Sequence, residues 1–223
     1  MAIPVVIQRK NVKKINIRVT RDGRVVVSAP VEINDDMIEK ILEKRSSWIA
    51  KKLEEMEVRK KYLPQFVDGG NVWLFGKPYV LRVLDGKKDE VSLRDGELLV
   101  KVAGGGTERV RHLVVEWLRR QAIRVIRGKI KEVAEVLDVK PERIELREWK
   151  SKWGLCKASA GTLGFNWKLI QLPDKLIDYI VVHELAHLRH HGHDRSFWMV
   201  VAKVLPDWKQ RHRELKEWGG LLI

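Results

Sequence analysis

Over the first hundred residues, apolar side chains recur at every second position in short stretches set apart by turn formers. Val5 to Ile7, Ile15 to Val19 and Val25 to Val27 alternate as half-buried strands do, because successive side chains of a strand point to opposite faces. Arg21-Asp22-Gly23-Arg24 has the chemistry of a hairpin turn between the last two. Val72 to Phe75, Tyr79 to Leu84, Glu90 to Leu93 and Leu98 to Val102 repeat the pattern, with turns at Asp85-Gly86 and Asp95-Gly96. One helical interval lies between the two sets. Asn34 or Asp35 can cap it, and Ile38, Ile41, Leu42, Trp48, Ile49, Leu53 and Met56 form the apolar stripe of a single long helix whose other face is dense in lysine and glutamate.

The period changes after Ala103-Gly104-Gly105-Gly106-Thr107, a glycine run that reads as a linker or exposed turn. Thr107 can cap a helix in which Val110, Leu113, Val114, Trp117, Leu118, Val125, Ile130, Val133 and Leu137 recur at helical spacing. Ile144 to Leu146, Trp153 to Lys157 and Thr162 to Asn166 follow as short strands, with Ser159-Ala160-Gly161 as a turn. The pattern predicts an α+β chain: a strand-rich region with one long helix over residues 1–105, then a second domain over 106–223 in which a helix packs on a small sheet. An edge strand of that sheet can hold an extended peptide by main-chain pairing, and the Trp153 or the Thr162 segment supplies the edge.

The second domain carries the chemistry. His183-Glu184-Leu185-Ala186-His187 is set in a run with almost no polar face, formed by Leu176, Ile177, Ile180, Val181, Val182, Leu185, Ala186 and Leu188. Residues four apart on a helix lie on one side, about one turn from each other, so His183 and His187 can point two imidazoles at one ion. Buried imidazoles and a buried carboxylate are costly unless they are paired or bound to a metal. Zinc so held lowers the pKa of its water to about 7, and Glu184 stands where a carboxylate can take that proton. His190, His191 and His193 compete for the third ligand position. His190 and His191 continue the helix and stand a turn too far along. Gly192 breaks the helix, and a chain turning back there lets His193 approach from another direction, so His193 is preferred and His190 held in reserve. Asp194 can cap a following helix containing Phe197, Trp198, Val201, Val204 and Leu205 ahead of Pro206, with Phe197 and Trp198 as core rather than substrate contacts.

These motifs resemble the YgjP-like metallohydrolase domain of the zincin superfamily. The resemblance is carried by Lys150-Ser151-Lys152-Trp153-Gly154-Leu155-Cys156, Gly164-Phe165-Asn166-Trp167, Leu172-Pro173, the His183 helix, His193, Phe197-Trp198 and Pro206-Asp207-Trp208. Softer matches at Trp48-Ile49-Ala50-Lys51-Lys52 and Phe75-Gly76-Lys77-Pro78-Tyr79 extend it over most of the chain. It implies a zincin-like domain with one zinc per chain. Two positions depart from the pattern, which usually has arginine before the tryptophan and serine before the cysteine. Lys152 keeps the charge of the arginine and loses its bidentate fork, and Leu155 replaces the serine.

Composition narrows the partners. No run approaches the eighteen apolar residues of a membrane span, and Met1-Ala2-Ile3-Pro4 lacks the features of a signal peptide, so a cytoplasmic protein is expected. The single cysteine, Cys156, allows no internal disulfide and reads as a buried strand residue rather than a thiolate ligand. A net charge of +14, from 44 basic against 30 acidic residues, would suit nucleic acid, but the charges are dispersed and the nine tryptophans fall mainly at apolar stripe positions. Three readings stand. A zinc peptidase would use Glu184 as general base and later proton donor. A nucleoside triphosphate pyrophosphohydrolase would use the same site with Lys150, Lys152, Lys168, Arg189 and Arg195 as nearby cations. A basic nucleic-acid-associated module would hold zinc only structurally. Asn166, His190 and Arg195 are candidates for stabilising an oxyanion, and Lys152 and Trp153 for contacting substrate.

Overall fold

The computed structural model describes residues 5–20 and 23–222, and the chain divides into two compact units, Met1–Lys61 and Tyr62–Ile223. In the first unit β1 (Val5–Arg9), β2 (Asn16–Val19) and β3 (Val25–Ala29) form a sheet of order β1-β3-β2, with β1 parallel and β2 antiparallel to β3. The segment Met1–Pro4 and the first half of the expected hairpin turn, Arg21 and Asp22, lie outside the described residues. Two helices, α1 (Asp35–Lys44) and α2 (Ser46–Lys60), follow, and Ile38 and Ile49 bury with Val25, Val27 and Ala29. Asn34 is the cap, its side chain accepting from Met37 N–H at 3.1 Å. The expected single helix is interrupted at Arg45, which departs to φ −103°, ψ 4°. Ser46-Ser47 follows at once, and paired serines hydrogen-bond locally and bend helices.

The second unit begins with β4 (Asn71–Leu74), β5 (Lys77–Asp85), β6 (Glu90–Arg94) and β7 (Glu97–Val102), in the order β4-β5-β7-β6. Asp95 and Gly96 both have positive φ, 49° and 80°, the mirror-image turn that suits a two-residue hairpin. Leu81, Leu98, Val100 and Val102 on alternate positions of this sheet bury with Val110, Val114 and Leu118 of α3 (Thr107–Leu137). The sheet and the long helix therefore share one core, and the glycine run is a turn inside the unit. Gly106 is the N-cap of α3 and Thr107 its first residue, with no side-chain cap bond.

A third sheet, of order β8-β10-β9, is made by β8 (Arg143–Arg147), β9 (Gly154–Lys157) and β10 (Thr162–Asn166). β10 is central, parallel to β8 and antiparallel to β9, so of the two segments the one beginning at Trp153 supplies the edge. α4 (Asp174–Ala186) packs against β9, α3, α5 (Arg195–Val204) and α6 (Trp208–Leu222). The last helix was not foreseen, although Leu215, Trp218 and Leu222 after Pro206 have helical spacing and pack on the core. Among the described residues no helix is long and apolar enough to cross a membrane.

Candidate active site

α4 is buried along almost its whole surface, and it ends earlier than its sequence pattern predicts. Ala186 is its last residue and His187 its C-cap. The N–H groups of Arg189 and His190 both close onto Ala186 O at 3.0 Å, so His190 and His191 lie beyond the helix and Gly192 does not break it. The physical reason lies in His187, whose Nδ1 is 3.0 Å from the carbonyl oxygen of His190: a chain that left the helix later could not bring that carbonyl round. Residues 191–194 then lead into α5, which is capped as expected by Asp194, its Oδ1 accepting from Phe197 N–H at 3.0 Å.

That route returns His193 to the helix. His183 Nε2 lies 3.3 Å from His187 Nε2 and 3.1 Å from His193 Nε2. Among the described residues these three histidines are the group whose ligand atoms, all within 4.8 Å of one another, could hold a metal ion. The electrostatics fit such an ion. Burial, reinforced by the neighbouring imidazoles, pushes the pKa of His183 down to about 3, and burial likewise lowers that of His187. Neutral rings then turn lone pairs toward a common point, where a cation relieves their repulsion. The His190 carbonyl accepts from His187 Nδ1–H and so leaves Nε2 as the bare nitrogen. His183 Nδ1 is buried without a hydrogen-bond partner, so the polar contacts of that ring are all on its Nε2 side.

The rings rest on a platform that sequence reasoning had assigned only to packing. Phe197, fully buried, has its ring centroid 5.0, 4.5 and 4.9 Å from those of His183, His187 and His193. Trp198 stacks on His193 at 5.8 Å, and Trp208 stacks on Trp198 at 3.9 Å and 10°. Because His193 is on an exposed loop, this column of rings restricts its orientation.

Glu184 stands beside the histidines and is 7% exposed. Burial raises its pKa to about 8, against the pull of the Lys152 charge. Space for its carboxylate comes from Gly154 at the start of the edge strand: a Cβ there would stand 2.3 Å from Glu184 Oε1 and 2.6 Å from its Cδ. The glycine of the Trp153-Gly154 motif is thus required by close approach rather than by backbone conformation. Gly154→Ala is expected to push the carboxylate off its position and lower any Glu184-dependent rate by at least about tenfold while the metal content stays the same, which metal analysis beside a rate assay checks. Cys156, on the same strand, faces the same cleft with its thiol pKa pushed up to about 11 by burial and by Glu184, and it lies outside the histidine cluster.

The cleft holds about 530 Å³ and is lined on one side by Gly154, Leu155, Cys156, Ala158 and Ser159, and on the other by Glu184, His191 and the three clustered histidines. Among the described residues no lysine or arginine lines it. Of the remaining expected residues, Asn166 is fully buried, its amide donating to Trp149 O (2.9 Å) and Lys152 O (3.1 Å) and accepting from Lys168 N–H (3.2 Å). It holds the 149–153 loop and has no donor left for a substrate oxygen. Trp153 is core, 9% exposed. Lys152 is exposed over the Trp149 ring and reaches Glu184 only through its field. Arg195 is exposed in the first turn of α5, and His190 contributes its carbonyl.

The metal-free protein offers a check on the burial of Glu184. An acid whose pKa is 4.5 unfolded and about 8 folded destabilises the fold as pH rises between those values, and below 4.5 the effect vanishes. Glu184→Gln is therefore expected to stabilise the metal-free protein by about 3 kcal/mol at pH 7 and by almost nothing at pH 4, read from denaturant midpoints after chelation.

Two solved structures share similarity with part of the chain. The metallopeptidase zymogen abylysin of Pyrococcus abyssi is 24% identical, with 40% of this chain and 90% of that one covered at a TM-score of 0.38. The metallopeptidase zymogen jannalysin of Methanocaldococcus jannaschii is 19% identical, with 41% and 94% covered at 0.38. No curated protein matches the chain. The sequence model of the YgjP-like metallopeptidase domain matches residues 13–218, nearly the full length. The chain belongs to the YgjP-like metallopeptidase domain family.

Proposed function

We propose that the protein is a zinc-dependent peptidase in which His183, His187 and His193 hold one zinc ion per chain and Glu184 is the general base. The observation that carries this reading is the convergence of three imidazole nitrogens beside a buried carboxylate in one open cleft. Zinc held there supplies Lewis acidity toward a water and toward a scissile carbonyl. Glu184 then takes a proton at its carboxylate and returns it to the leaving amine nitrogen. Lys152 favours its ionised form, and Gly154 gives it room. The His187 Nδ1–H bond to His190 O fixes the ring tautomer, while Phe197 and Trp198 hold the imidazole planes. The free edge of β9 beside the cleft can pair with an extended substrate backbone.

Peptide substrates are favoured over phosphoanhydrides by the lining of the cleft. A triphosphate needs several converging cations, and this wall has none. Lys168, one of the cations considered for that role, is paired with Glu148 at 3.3 Å. A structural zinc site is usually closed by four protein ligands, whereas three meet here. The basic surface is partly neutralised within the molecule: on α3, Lys129 pairs with Asp178 at 2.5 Å and with Asp174 at 3.0 Å, and Arg111 with Glu108 at 3.3 Å. The test is incubation of the chelated and zinc-restored protein with unfolded polypeptides, following new amino termini. The reading requires cleavage that disappears with chelation and returns with zinc. Release of pyrophosphate from nucleoside triphosphates without peptide cleavage would contradict it.

A further inference from the structure

A second cleft, of about 440 Å³, borders the same Trp153-Gly154 segment, where Gly154 lines the metal cleft and Trp153 lines this one. Its walls are Lys150, Ser151 and Trp153 from the loop ahead of β9 and His212, Leu215 and Lys216 from α6. Every polar side chain among its lining residues is able to donate, and among the described residues no carboxylate lines it. Neither lysine has an acidic partner among the described residues, and both are exposed. Trp153 is nine-tenths buried, yet its indole N–H makes no hydrogen bond among the described residues. The nitrogen lies 3.6 Å from where a Cβ on Gly219 would stand, so the glycine keeps that edge of the ring open.

His212 adds an oriented donor. Its Nδ1 is 2.9 Å from the hydroxyl of Tyr179, which is 2% exposed and has no other partner for its hydrogen. The hydroxyl must donate to Nδ1 to avoid a buried unpaired O–H, which places the imidazole hydrogen on Nε2, away from Tyr179. The cleft thus combines two ammonium groups, an indole N–H, an imidazole N–H and a hydroxyl with an apolar wall of Trp153 and Leu215. That combination suits a carboxylate carried next to an apolar side chain.

We propose that this cleft is a subsite for the carboxylate that ends a peptide chain, within a few residues of the bond being cut. The proposal rests on the peptidase reading for the identity of the substrate and on the second cleft for the carboxylate. Trp153 and Gly154 are consecutive, and an extended chain advances about 3.3 Å per residue, so a short carboxyl-terminal stretch spans the two clefts. A carboxylate on an acidic side chain has the same chemistry, and the experiment separates the two sources.

The probes are acetylated tetrapeptides ending in leucine, as free acid, as amide, and as amide with an aspartate in the last position. Binding to zinc-loaded Glu184→Gln protein is measured by calorimetry, and the Trp153 indole N–H is followed by NMR, assigned by its loss in Trp153→Phe. The free acid is expected to bind at least about tenfold more tightly than the leucine amide and to move the Trp153 signal. In Lys150→Ala/Lys216→Ala, whose side chains are exposed, the ratio is expected to fall close to one. Equal binding of acid and amide, no binding of either, or a ratio unchanged in the double variant overturns the proposal. Binding of the aspartate amide alone overturns the terminal assignment. Wild-type protein given longer peptides separates the two readings: cleavage indifferent to the terminal carboxylate leaves the peptidase and removes the subsite, while acid-dependent binding with no new amino termini does the reverse.

Discussion

Glu184→Gln protein is expected to keep its full complement of metal and to lose about 10²- to 10⁴-fold in peptide hydrolysis, the usual worth of a positioned general base. Glutamine preserves the shape of a side chain that is 7% exposed and packed under Gly154, so folding and the histidine cluster are left in place. The amide has no site of comparable basicity for the proton. Metal content by elemental analysis and rate by release of new amino termini, measured on one preparation, check both halves. A metal-replete variant with an unchanged rate would remove Glu184 from the mechanism.

The second large effect is on metal binding. His183→Ala, His187→Ala and His193→Ala are each expected to weaken zinc binding by more than about 10²-fold, since loss of a mere outer-shell partner of a ligand already costs 10–100-fold. His190→Ala is expected to keep it: the group that His190 offers to His187 is its backbone carbonyl, which alanine retains. Competition with a chromophoric chelator gives the affinities. Retention of zinc by His193→Ala together with its loss from His190→Ala would reverse the assignment of the third ligand.

The parts of the site that sequence exposes are those fixed by local periodicity. The i, i+4 pair His183 and His187, the adjacent Glu184 and the Asp194 cap follow from helix geometry, and the ten strands among the described residues follow from alternation or from short apolar runs between turns. What escaped depends on contacts that apolar periodicity does not register. The stop of α4 at Ala186 is tied to a side-chain bond between His187 and a carbonyl three residues on. Gly154 offers no turn signal, and its reason is a carboxylate thirty residues away in sequence. Asn166 looked available for a substrate because a buried amide and an exposed one have the same letter; its hydrogen bonds to Trp149 O and Lys152 O show it to be a brace. Phe197 at helical spacing is legible as core, and only the fold shows that three imidazoles rest against its ring. The pattern groups the four strands before the glycine run with the first region, residues 1–105, whereas a sheet buries its apolar face against whichever helix the chain supplies, here α3.

Anomalous diffraction at the zinc edge from crystals of the zinc-loaded protein is expected to show a single ion per chain about 2.0–2.1 Å from Nε2 of His183, His187 and His193, with its fourth position open to the cleft and no protein atom in it. A fourth protein ligand closing the site, or an ion bound elsewhere with these three imidazoles left uncoordinated, would contradict the proposed zinc site.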